Sequence, residues 1–109
     1  MDDTVSANVA IVSIWAGDAY PKAVRELRFF WRKTKDPDLL LRDLRESKQV
    51  ENFPAETLEL LHRIIGEPLY LFAATELKAV LHSLSLANPT LAGDPRYASL
   101  RDAANRAGA

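Results

Sequence analysis

The chain has 109 residues, 48% hydrophobic and 27% charged, with 14 Lys and Arg against 15 Asp and Glu for a formal net charge of −1. That fits one small soluble domain, residues 1–109, with a single core, and the near-neutral balance gives no bulk field to favour nucleic acid or anionic lipid. The absence of cysteine excludes a disulfide framework and thiolate metal sites, and it fits a reducing cytoplasm, the expected location.

The opening stretch, MDDTVSANVAIVSIWAG, starts with Asp2 and Asp3, where a signal peptide carries basic residues. Its apolar run from Val9 to Ala16 is interrupted by Ser13 and falls far below the roughly 20 residues that span a bilayer. A helix is expected over about residues 4–16. The β-branched content would also suit a strand, but no second strand is in view to satisfy its backbone. This helix is apolar nearly all round: Val5, Val9, Val12 and Ala16 line one side, Ala7, Ile11 and Ile14 another. Such a helix needs cover on two sides. With a neighbour on one side only, Val5, Val9, Val12 and Trp15 become an expected self-association surface, giving a homodimer or a contact with an upstream domain.

Prolines set the next boundaries. A second helix, about 20–33, opens at Tyr20-Pro21, with Ala23, Val24, Leu27, Phe30 and Trp31 on its apolar face. Lys22, Arg25, Arg28, Arg32 and Lys35 form a basic stripe on the other side, with Phe29 among them. The stripe suits an acidic protein partner, or nucleic acid with Phe29 stacking a base. The plainer reading is a solvated face, with Phe29 covered by the adjacent helix. A third helix, about 37–48, has Asp36 as N-cap and Pro37 as its first residue, where the missing N–H costs nothing.

The fourth helix, about 54–66, opens at Pro54 and carries Leu58, Leu61, Ile64 and Ile65 as its stripe. Glu59 and His62 have the Glu-x-x-His spacing of di-iron bundles, but such sites need a second copy and two more glutamates. His62 is therefore expected at the stripe's border with its ring half covered. In the fifth helix, about 73–87, Ala73, Leu77, Val80, Leu81 and Leu84 face in, while Lys78 and His82 face out. Ser83 and Ser85 neighbour His82 without the geometry of a nucleophile and its base. The sixth, about 95–107, pairs Asp94 as N-cap with Pro95 and carries Arg96, Arg101, Asp102, Asn105 and Arg106 on its outer side, as a terminal cap does. The four glycines are scattered, so no phosphate-cradling loop exists. No cofactor or metal is expected, and no enzymatic activity. The expected buried core includes Leu27, Trp31, Leu58, Leu61, Ile64, Leu77, Leu81 and Leu84.

Tyr20-Pro21 and Phe53-Pro54 open two similar phrases 33 residues apart, a spacing typical of helix-turn-helix repeats. Pro95-Arg96-Tyr97 opens a third after a longer gap. The expected fold is all-α: about six helices as three antiparallel pairs, stacked as a short α-solenoid. The alternative is a compact six-helix bundle whose prolines are ordinary helix starters.

Three phrases carry a resemblance: AGDAYPKA at Ala16–Ala23, LLLRDLRESKQVENFPAETLELLHRI within Leu39–Ile65, and DPRY at Asp94–Tyr97. Together they make most of the chain similar to the C-terminal helical-repeat segment of large bacterial proteins with an upstream STAND-type NTPase or sirtuin-like effector domain, which look like anti-phage defence systems. The matched residues are structural punctuation, and neither upstream domain is present here. The resemblance thus implies a non-enzymatic protein–protein interaction module, either a C-terminal fragment or a stand-alone relative of such a protein, and it lends no catalytic residue. The rival readings are a nucleic-acid-binding helical domain using the basic stripe, and a small regulator or immunity-type protein that occludes a partner's surface.

Overall fold

The computed structural model describes residues 14–27, 33, 37–66 and 69–108. Among these the chain is all-α, with six helices and no β-strand: α1 (Tyr20–Leu27), α2 (Asp38–Ser47), α3 (Gln49–Asn52), α4 (Pro54–Ile64), α5 (Leu71–Ala87) and α6 (Pro95–Gly108). Short 3-10 turns at Gly17–Ala19 and Pro89–Gly93 lead into α1 and α6. The helix expected at 4–16 lies outside the described residues except at its end, where Ile14 is helical and buried and Trp15 and Ala16 form a turn. Gly17 then takes a left-handed φ of +62°, with open space where a Cβ would stand. Its requirement for glycine is one of backbone conformation, not of room.

Two of the proline starts behave as capping chemistry dictates. Pro54 is the first residue of α4, after Phe53 as an N-cap with φ of −137° and ψ of 67°, outside the helical well. At α6 the Asp94 carboxylate accepts the Arg96 backbone N–H at 2.8 Å, and Pro95 takes the position whose N–H would be orphaned anyway. The start at Pro37 is displaced by one residue. Helix α2 begins at Asp38, and Pro37 itself is the N-cap with ψ of 23°, outside the helical well; its carbonyl accepts the first helical bond, from Leu41 N–H at 2.9 Å.

Other boundaries also shift. Lys48 adopts a left-handed φ of 63°, which ends α2 and re-aims the chain into the single turn α3. That turn was not expected from the sequence. Helix α4 stops at Ile64 because Ile65 is extended, short of the expected 66. Helix α5 begins at Leu71, two residues early. Lys33, expected as the last residue of the second helix, is not helical.

The core is continuous and largely as expected: Leu58, Leu61, Ile64, Leu77 and Leu84 are fully buried and Leu81 nearly so. Trp31 and the Leu27 side chain lie outside the described residues. Helix α5 is central, packing on α2, α3 and α6, while α4 packs on α1 and α6. Helix α5 also makes its most extensive contact with α6, so the helices surround it. The two aromatics of the repeated phrases meet in space: the Tyr20 and Phe53 rings lie 5.9 Å apart, tilted by 43°. With extents of 36 × 32 × 23 Å and a radius of gyration of 12.5 Å, the molecule is about as compact as a chain of this length can be.

Behind the Tyr20–Phe53 contact lies a buried polar network. The Tyr20 hydroxyl meets Thr57 Oγ1 at 3.0 Å, and the Thr57 hydroxyl donates to the Phe53 carbonyl at 2.9 Å. The Gln49 side-chain amide donates to the carbonyls of Ile14 at 2.8 Å and Gly17 at 3.2 Å. Helix α3 thus ties down the segment that enters α1, which gives this one-turn helix its structural purpose.

Candidate protein-docking surface

A groove of about 430 Å³ runs between α2 and α5, lined by Asp38, Leu39, Arg42 and Arg45 on one wall and Phe72 and Glu76 on the other. Its apolar residues are conspicuously uncovered. Leu39 is 49% exposed and Phe72 64% exposed, and Tyr70 and Leu71 beside Phe72 are as open. Isolated exposed apolar residues need no explanation, but a group of four large ones makes this the candidate docking surface.

Helical geometry explains the exposure. On α2 the buried residues Leu40, Leu41 and Leu44 occupy one arc. At about 100° per residue, Leu39 falls outside that arc, on the side shared with Arg42. On α5 the buried arc runs through Ala73, Ala74, Leu77, Val80, Leu81 and Leu84, and Phe72 falls beside Glu76, off its edge. An ion pair spans the two walls, Arg45 Nη1 to Glu76 Oε2 at 2.6 Å. Arg42 is exposed and stands on the same wall as Asp38, one turn earlier on α2.

Sequence reasoning missed this groove, although signals for it were present. Three consecutive leucines, 39–41, cannot all face one core from a helix. Leu71 and Phe72 fall outside the helix expected at 73–87, two residues short of its true start, and Tyr70 precedes it as the N-cap.

The expected sites fare unevenly. Of the basic stripe, Lys22 and Arg25 are exposed on α1, and Lys22 pairs loosely with Glu26 at 3.8 Å. Arg28, Phe29, Arg32 and Lys35 lie outside the described residues, as do Val5, Val9 and Val12 of the expected self-association surface. Trp15, its fourth member, is 55% exposed.

A second, shallower groove of about 260 Å³ involves Lys33, His62, Ile65, Ser99, Leu100 and Ala103. The Lys33 ammonium donates to the His62 and Ile65 carbonyls at 2.9 and 3.3 Å, capping the α4 C-terminus where the helix dipole favours a cation. His62 is exposed, not half covered. Partial desolvation and the neighbouring Lys33, Arg96 and Arg63 hold its imidazole below its usual pKa. Asp94, hydrogen-bonded by the Arg96 guanidinium, is held below the usual carboxylate range. This corner is occupied by helix capping.

Catalytic and metal geometry is not assembled among the described residues. No cluster of three metal-ligating side chains occurs there. The Ser83 hydroxyl donates to the Ala79 carbonyl and that of Ser85 to the His82 carbonyl, so neither faces a base. No described helix is long and apolar enough to cross a membrane. No protein-family model matches the chain, and comparison with curated proteins and with solved structures found no significant match.

Proposed function

We propose that this chain is a non-enzymatic helical-repeat module for protein–protein interaction. The observation that carries the reading is the α2–α5 groove, where Leu39 and Phe72 stand open on adjacent helices. The Tyr20–Phe53 contact supports the repeat interpretation, because equivalent positions of adjacent repeats meet when the repeats stack in register. The resemblance to the helical segments of bacterial defence proteins supports the same reading, along with a bacterial origin and a cytoplasmic location. Self-association through Val5, Val9, Val12 and Trp15 is a separate part of the proposal, supported by the exposure of Trp15.

Site-specific photocrosslinking in the native host tests the module directly. A photoreactive phenylalanine analogue at position 72 should yield a discrete protein adduct, and the same analogue at Arg101 on the outer side of α6 should not. Adducts absent from position 72, or equal at both positions, would sink the reading. The basic stripe offers nucleic acid as the rival partner. Titration against labelled DNA and RNA at low and moderate salt separates the two, since phosphate contacts weaken steeply with salt.

A further inference from the structure

We draw no further inference here: the strongest candidate, the groove between α2 and α5 with its exposed Leu39 and Phe72, belongs to the surface already described, and with Asp38 and Glu76 set beside Arg42 and Arg45 on its walls nothing in the structure shows what covers it.

Discussion

Tyr20 and Thr57 show how unequally the two partners of one buried hydrogen bond are committed. The Thr57 hydroxyl has its own acceptor in the Phe53 carbonyl, so removing the phenol in Tyr20→Phe leaves no orphaned donor and should cost about 1 kcal/mol. Thr57→Val is the harsher change although it is nearly isosteric. It strands the Tyr20 hydroxyl in a site where the side chain is fully buried, which should cost about 1–3 kcal/mol. Urea unfolding of the two variants should rank Thr57→Val below Tyr20→Phe, and the reverse order would mean that Thr57 is not the phenol's partner. The same burial raises the Tyr20 pKa above its ordinary 10.0, chiefly by desolvation, opposed by the Thr57 hydrogen bond and aided by Glu56. A raised folded-state pKa means that the unfolded chain ionises first. The stabilisation is therefore complete below about pH 10 and is lost above it. Wild-type stability should fall more steeply than that of Tyr20→Phe between pH 9 and 11, as measured by urea midpoints.

Among the elements, α2, α3 and α4 show what a sequence can and cannot announce. Helix α4 was legible because its signals agree: Pro54 at the first position and a stripe of Leu58, Leu61 and Ile64 that the structure buries completely. Leu61→Ala should accordingly cost about 2–5 kcal/mol, and a loss under about 0.5 kcal/mol would mean that its face is not core. Helix α3 was not legible. Its four residues carry no period, and it exists because Gln49 satisfies two carbonyls of a segment more than 30 residues away. Tertiary bonding of that kind leaves no local mark. The groove was half legible, since Leu39 is out of register with its neighbours, but Phe72 required the true start of α5. The junction between α2 and α3 is set by Lys48, a side chain in the left-handed region, where L-residues cost roughly 1–2 kcal/mol relative to the right-handed one. Lys48→Gly should therefore raise stability by about 1 kcal/mol, net of the glycine's greater unfolded-state entropy. A lower urea midpoint for this variant would mean that the lysine side chain contributes a contact outweighing its strain.

At the scale of the molecule, the question is whether the helices behave as an array or as one globule. In a long helical array each pair touches only its neighbours, and the ends can unfold separately. Here α6 contacts both α5 and α4, and α5 also contacts α2 and α3, so α5 and α6 cannot leave without uncovering the core shared by the others. Leu100 and Ala104 of α6 and Leu84 of α5 belong to the same buried cluster as Ile14 and Tyr20 at the other end of the described chain. The extents of 36 × 32 × 23 Å leave no thin section at which cooperativity could break. Unfolding should therefore be all-or-none, as for most domains of this size. Two probes can tell the difference, because Trp15 and Trp31, the two tryptophans, both sit in the first third of the sequence, whereas far-UV dichroism reports every helix. Leu100→Ala, in a residue only 3% exposed, perturbs the opposite end. It should lower the urea midpoint by the equivalent of about 2–5 kcal/mol for fluorescence and dichroism alike, with both curves still superimposed. If the dichroism midpoint drops while the fluorescence midpoint stays at its wild-type value, the C-terminal pair unfolds alone and the chain is an array despite its compact shape.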